Sequence, residues 1–319
     1  MFKNKISRTA SLIIAVVILC ILPFVVSKYW LHILIMCMFN SIFATSLWIT
    51  MRMGYLSFGH AAYIGTGAYT SALLSIGIGV PVGLSIVIAG MFAALVGFIM
   101  GKITLSLRGI YFSITVFAFT EVLRAIWLGF DKPFGGAGGI INIQRPQPLG
   151  ISLESHISFY YFLFVCGLLI MLFIHRLDRS KFGFICRGIQ TADSELLSRM
   201  LGVNTAWYKT MAFTISCLFA GLGGALFAHY TGYISPFVFT FWLSTDAVIY
   251  VMIGGAASMV GPILGGSALT IVSEMLFGAG YYRAIFFGVA LLVIILGLPG
   301  GLISIPERFK FSKNFGKQK

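Results

Sequence analysis

Two charged side chains, Glu121 and Arg124, stand three residues apart inside a long apolar run, Gly109 to Gly129. This spacing places them on one face of a helix, where a carboxylate and a guanidinium can pair. Each charge costs about 3 kcal/mol at the centre of a bilayer on insertion scales, so an unpaired one is not expected. The pair is interpreted either as a buried clamp, or as part of a solute path or of a contact with another membrane chain.

Three further ionisable residues, His60, Asp246 and Glu274, also fall in or beside apolar runs. Acids at membrane depth are typical of proton or sodium carriers, which keeps a gradient-driven transporter as an alternative. A single histidine in such a run is more typical of a hydrogen bond to a neighbouring helix. The two acids have no evident basic partner in the sequence, and no role is assigned to them.

Enzyme signatures do not occur in the sequence. The nearest approach to a phosphate-binding loop, Gly97 to Lys102, has the wrong spacing, and there is no HExxH motif. The five cysteines show no metal-ligand spacing. We therefore predict no catalysis, no cofactor and no metal in this chain, so that any active transport takes its energy from a gradient or a separate ATPase.

The elements that carry these residues are apolar runs long enough to cross a membrane. The chain is 59% hydrophobic and 10% charged, and about 20 apolar helical residues span a bilayer core. We predict a single all-α polytopic membrane domain, residues 1–319, with about ten transmembrane helices. The expected spans are Ala10–Ser27, Trp30–Met51, Tyr55–Gly77, Val82–Gly101, Gly109–Gly129, Ile157–His175, Thr210–Thr231, Leu243–Val260, Ile263–Ala279 and Ala284–Pro299.

The basic residues predict the orientation. With a cytoplasmic N-terminus, 17 Lys and Arg residues lie on the inside of this ten-span arrangement and 4 on the outside, as the positive-inside rule requires. Both termini and the 176–209 loop are then cytoplasmic, and the 130–156 loop is external. The net charge of +13 is explained by topology and by attraction to anionic lipid, so nucleic-acid binding is not invoked. The first run lacks a cleavage site and is interpreted as a retained span.

The cytoplasmic loop contains the pattern of one short amphipathic helix. Asp193 and Glu195 suit its first turn, Arg199 its end, and Gly202 can stop it. About ten residues are too few for a stable isolated helix, so its apolar face must pack on something. An ATPase and the lipid interface are both compatible with that face, which comprises Leu196, Leu197, Met200 and Leu201.

A glycine-rich run follows the second expected span. Small residues allow helix backbones to approach closely in a membrane, so on residue type alone the run is interpreted as a packing surface. A translocation path is the alternative for these positions. The residues concerned are Gly54, Ser57, Phe58, Gly59, His60 and Gly65.

At the level of motifs the chain resembles the permeases of branched-chain amino acid ABC importers. The resemblance rests on Gly54-Tyr-Leu-Ser-Phe-Gly-His-Ala, on Gly109-Ile-Tyr-Phe-Ser-Ile through Glu121-Val-Leu-Arg124, and on Gly135-Gly-Ala-Gly-Gly-Ile140. It continues through the Arg187 to Tyr208 loop to Gly261-Pro-Ile-Leu-Gly265. The long external loop favours the LivM-type subunit over its LivH-type partner.

The resemblance implies a function and a set of partners. It implies import of branched-chain or related apolar amino acids across the bacterial inner membrane, together with a second permease, two cytoplasmic ATPases and an external substrate-binding protein. The short loop helix would then couple to an ATPase through Asp193, Glu195 and Gly202 as well as its apolar face. Tyr111, Glu121 and Arg124 would lie on the path or at a helix contact. Importers of urea and short amides share these motifs, and a scaffold without transport is a third class.

Overall fold

A computed structural model describes residues 19–107, 109–146, 155–276 and 301–304, and four isolated positions between 285 and 292. These residues are predominantly helical, as the apolar runs predict. The helices of eight residues or more are α1 Lys28–Met51, α2 His60–Gly77, α3 Val82–Thr104, α4 Ile110–Gly129, α5 His156–Arg179, α6 Lys181–Gly188, α7 Ala192–Met200, α8 Thr205–Thr231, α9 Phe241–Gly254 and α10 Val260–Met275.

Five of these helices are long and apolar enough to cross a membrane: α1, α3, α4, α5 and α8. They confirm the all-α polytopic fold class. Helices α9 and α10 have 14 and 16 residues, which at 1.5 Å per residue falls short of a core about 30 Å thick. Half of the first expected span and most of the tenth lie outside the described ranges.

Helix α8 occupies the centre of the bundle and packs against α1, α2 and α3. The helices α2 and α8 approach closely because glycines on each helix lie against the backbone of the other. A Cβ on Gly67 would overlap the carbonyl of Gly221, and a Cβ on Gly224 would overlap that of Ile64. The interpretation of small residues as a packing surface is thus correct for the α2–α8 contact.

The start of the third expected span was wrong. We predicted a helix from Tyr55, whereas α2 begins at His60 and residues 55–57 have no regular structure. The reason is a turn at Gly54, whose φ of +80° lies in the left-handed region. Residues 54–59 therefore form a short connection between α1 and α2, called the 54–59 segment below.

The 176–209 loop is more helical than expected. Helix α5 extends to Arg179, α8 begins at Thr205, and α6 lies between them as a second short helix that was not predicted. The oxygen of Ser180 accepts a hydrogen bond from the Gly183 N–H and caps α6. A serine before Lys181 was the sequence signal for it.

The two predicted loops lie at opposite ends of α8. Near its start, Lys209 contacts α7; near its end, Nδ1 of His229 lies 2.6 Å from the Gln144 carbonyl oxygen. The expected external loop is also held by a bridge between Ile140 and Ile234. Lys209 and His229 are 20 residues apart on α8, or about 30 Å of helix, so these two contacts are separated by about the thickness of a bilayer core.

Candidate functional site

Helix α7 begins and ends where the sequence predicted. Thr191 caps it through a reciprocal capping box with Ser194, which satisfies backbone N–H groups that the first turn leaves unpaired. Asp193 and Glu195 lie in the first turn and Arg199 in the last. The chain then leaves the helix through Gly202, whose φ is +82°.

One face of α7 is apolar and exposed. The exposed fractions are 56% for Leu196, 60% for Leu197, 75% for Met200 and 76% for Leu201. No described part of the chain covers these side chains. Four neighbouring large apolar side chains at such exposure are typical of an interaction surface, whether with protein or with lipid. We call this set the α7 face.

The opposite side of α7 is anchored by Glu195, which points into the protein. Its Oε1 accepts a hydrogen bond from Arg199 at 2.7 Å, and its Oε2 lies 2.7 Å from Nζ of Lys209. The Glu195 and Lys209 side chains are each 4% exposed. Sequence reasoning grouped Glu195 with the docking residues and did not identify Lys209 as its partner.

Lys209 also links this anchor to the membrane bundle. Its Nζ donates to the Tyr55 hydroxyl at 2.9 Å, and that hydroxyl donates to the carbonyl of Leu105 at the end of α3 at 3.2 Å. Beside it, the carbonyl of Gln190 lies so close to Gly54 that a Cβ there would overlap it. The 176–209 loop therefore contacts the 54–59 segment at two neighbouring residues.

The far end of the 54–59 segment contacts α4. Ser113 donates a hydrogen bond to the Leu56 carbonyl at 2.7 Å, and a Cβ on Gly59 would overlap the carbonyl of Val116. The ring of Phe58 packs against Phe241 of α9 at 5.6 Å between centroids. The segment is thus enclosed by the 176–209 loop, α4 and α9.

Ser57 and His60 are fully buried at the start of α2. Nε2 of His60 is 2.8 Å from the Ser46 hydroxyl of α1, which is a hydrogen bond to a neighbouring helix. Its Nδ1 and the Ser57 hydroxyl have no hydrogen-bond partner among the described residues. Gly65 lies against the ring of Trp127, which a Cβ at this position would overlap.

The pair on α4 forms as the spacing predicted. Nη2 of Arg124 lies 2.7 Å from Oε2 of Glu121, and the side chains are 29% and 33% exposed. Tyr111, near the start of the same helix, is 70% exposed. The pair is therefore half-buried beside an apolar surface that no described residue covers.

Basic and sulfur-containing side chains of the loop have structural roles. Asp178 pairs with Arg187 at 2.9 Å and lies 3.6 Å from Arg52 at the end of α1. Burial raises the pKa of the Cys186 thiol to about 12, although neighbouring Arg187 opposes the shift. Among the described residues, no group of three His, Cys, Asp or Glu side chains is placed to hold a metal ion.

Comparison with known proteins gives the family. Residues 29–297 match the family described as branched-chain amino acid transport system, permease component. The chain is 30% identical over 325 aligned residues to the high-affinity branched-chain amino acid transport system permease protein LivM of Escherichia coli, covering 94% of this chain and 75% of that protein. No solved structure matches the chain significantly.

Two further relatives separate the two permease types. The E. coli permease LivH is 28% identical over 131 residues, which is 40% of this chain and 41% of LivH. A probable LivM of Methanocaldococcus jannaschii is 27% identical and covers 81% of this chain and 79% of that protein. The alignment is long with LivM and partial with LivH. The chain is a multi-pass membrane protein that belongs to the family of branched-chain amino acid transport system permease components, with a LivM-type sequence.

Proposed function

We propose that this chain is one of two permeases in an ATP-driven importer of branched-chain or related apolar amino acids. Its partners are a LivH-like permease, two cytoplasmic ATPases and an external substrate-binding protein. The relatives named LivM and LivH support a permease pair. The observation that carries the ATP-driven part is the α7 face, which is exposed while the other side of the same helix is fixed by a buried ion pair.

The geometry of α7 suits a docking helix. A helix of 9 residues is marginal by itself, yet its capping box and the Glu195–Lys209 pair hold it without using its apolar side chains. Those side chains remain available to a partner. We assign the partner as an ATPase, and Asp193 and Gly202 as the residues that start and end the docking helix.

The topology belongs to the same proposal. We place residues 1–319 in one transmembrane domain of ten spans in the bacterial cytoplasmic membrane, with both termini and the 176–209 loop inside and the 130–156 loop outside. The separation of the two loops along α8 supports opposite sides. The excess of basic residues near the α7 end supports a cytoplasmic location for that end.

The solute path is proposed to run beside α4. This helix carries the exposed Tyr111 and the Glu121–Arg124 pair, and the pair presents charge at membrane depth, where lipid is an unfavourable neighbour. Water in a path or the second permease would solvate the pair. The buried hydroxyl of Ser57 and the ring of His60 lie behind this helix, near its contact with Gly59 and Phe58.

Affinity purification of the tagged chain from its own membranes tests the assignment. A second permease and ATPase subunits should co-purify, and the complex should hydrolyse ATP. A chain that purifies alone and transports leucine on a proton gradient would instead be a secondary carrier. Uptake of urea or acetamide in preference to leucine would retain the ATP-driven assignment but replace the substrate class.

A further inference from the structure

We propose that Glu195, Lys209 and Tyr55 form a buried strut that transmits displacement of α7 to the 54–59 segment and through it to α4. The three are positioning residues for transport, and none of them is assigned a contact with the solute. This inference rests on the proposed function, because it assumes that an ATPase moves α7. It assigns to the 54–59 segment a role beyond helix packing.

The first step is the firmness of the Glu195–Lys209 contact. The two charged groups are 2.7 Å apart and almost wholly buried. Separating them would leave each charge in a poorly solvated site, which is far more costly than breaking an exposed ion pair. Helix α7 and the start of α8 should therefore move as one body when α7 is pushed.

The second step connects this body to the 54–59 segment. Lys209 Nζ donates to the Tyr55 hydroxyl at 2.9 Å and lies 4.9 Å from the centre of its ring. At the adjacent residue, the Gln190 carbonyl abuts the Cα of Gly54. Gly54 has a φ of +80°, so a larger residue would be both strained and obstructed. The loop thus holds two consecutive residues of the segment.

The third step leads from the segment to α4. The Tyr55 ring packs edge-on against Phe112 at 4.8 Å between centroids, and Ser113 donates to the Leu56 carbonyl at 2.7 Å. Closely packed interiors transmit small displacements because they have little free volume. A shift of α7 would then displace the helix that carries Glu121 and Arg124.

Proximity alone does not establish coupling, so the test must separate transmission from folding. Tyr55→Phe keeps the ring and its contact with Phe112 but removes the hydroxyl that joins Lys209 to Leu105. We expect the purified import complex in proteoliposomes to assemble and hydrolyse ATP normally. The number of leucine molecules transported per ATP hydrolysed should fall about five-fold. The loss of one hydrogen bond costs about 1 kcal/mol, which corresponds to a factor of about five in an equilibrium constant.

A matched control is Tyr208→Phe, which removes a hydroxyl from the same region of α8, next to Lys209 in sequence. Tyr208 contacts Phe182 and Trp207 through its ring, which the substitution keeps. The Tyr208→Phe complex should transport as much leucine per ATP hydrolysed as the complex with the unmodified chain. An unchanged transport ratio in Tyr55→Phe would overturn the strut. Loss of assembly in that variant would also overturn it, because the hydrogen-bond network would then serve folding alone.

Charge substitutions provide a second measurement. After Lys209→Met, Glu195 keeps Arg199 as a charged partner at 2.7 Å, whereas Glu195→Gln removes the carboxylate charge that lies 2.7 Å from the buried Lys209 ammonium. We expect Glu195→Gln to lower the transport ratio more, and the double variant to lie above Glu195→Gln. Strictly additive effects would contradict the strut. If no ATPase accompanies even the unmodified chain, the proposed function fails, which is a separate result.

Discussion

Arg124 donates from both Nε and Nη2 to a single oxygen of Glu121, Oε2, each at 2.7 Å. The two residues are three apart on α4, and about a third of each side chain is exposed. The two charges therefore pair with each other, while the exposed part of each side chain faces away from the described helices. Removal of either charge leaves the other unpaired at membrane depth.

Glu121→Gln should destabilise the chain, and Glu121→Gln with Arg124→Gln should restore part of the loss. We expect a cost of roughly 1 to 3 kcal/mol for the single change, below that of a fully buried pair because each side chain is partly solvated. Membrane yield and thermal aggregation in detergent measure it. A double variant that is well assembled but inactive would assign the pair to the solute path in place of a clamp.

Leu197→Asp with Met200→Asp places two charges on the α7 face and should weaken ATPase binding by more than about ten-fold, because burying an unpaired charge is costly. The measurement is co-purification of the ATPase with the tagged chain. Ala206→Asp is the control, since Ala206 is exposed in the first turn of α8, where an acid is favourable. Normal co-purification of the double variant would refute the docking assignment.

Two glycine positions test the orientation with matched probes. Gly138 and Gly188 are exposed, and a Cβ at either meets no neighbouring atom. A membrane-impermeant maleimide added to intact cells should label Gly138→Cys and leave Gly188→Cys unmodified. The reverse pattern, or equal labelling of both, would contradict the ten-span topology. Labelling of both in opened membranes is the control.

Cys186 should resist thiol reagents in the folded chain. Only the thiolate reacts quickly, and burial raises the pKa of this thiol to about 12, so the group stays protonated at neutral pH. Raising the pH from about 7 to about 8.5 should increase labelling of the exposed Gly188→Cys thiol, whose ordinary pKa is about 8.5, and leave Cys186 unlabelled. Mass spectrometry identifies the modified site, and rapid labelling of Cys186 would contradict its burial.

Local features of the site could be predicted from the sequence. The end of α7 at Met200 follows from Gly202, and its apolar face follows from the spacing of the leucines. The Glu121–Arg124 pair follows from an i,i+3 spacing within one helix. In each case the interacting residues are neighbours in the chain, so helix geometry alone places them together.

Contacts between distant segments could not be predicted in the same way. Lys209 and Tyr55 are 154 residues apart, and neither residue has a local pattern that indicates the other. The inward direction of Glu195 depends in turn on its ion pair with Lys209. The irregular start of the third expected span has a local cause, the turn at Gly54. Helix α6 was missed for another reason, because its capping serine follows directly on the basic end of α5 without an intervening loop.

The energy source is the most direct test of the central claim. The purified complex is reconstituted into proteoliposomes. Leucine and the leucine-binding protein are placed on the side of the membrane that carries the external loop, and ATP is placed on the side that carries the ATPases. Leucine transport should require ATP, persist when a protonophore abolishes the proton gradient, and fail when the ATPases are left out. Transport that continues without ATPases and stops with the protonophore would contradict the importer and identify a gradient-driven carrier.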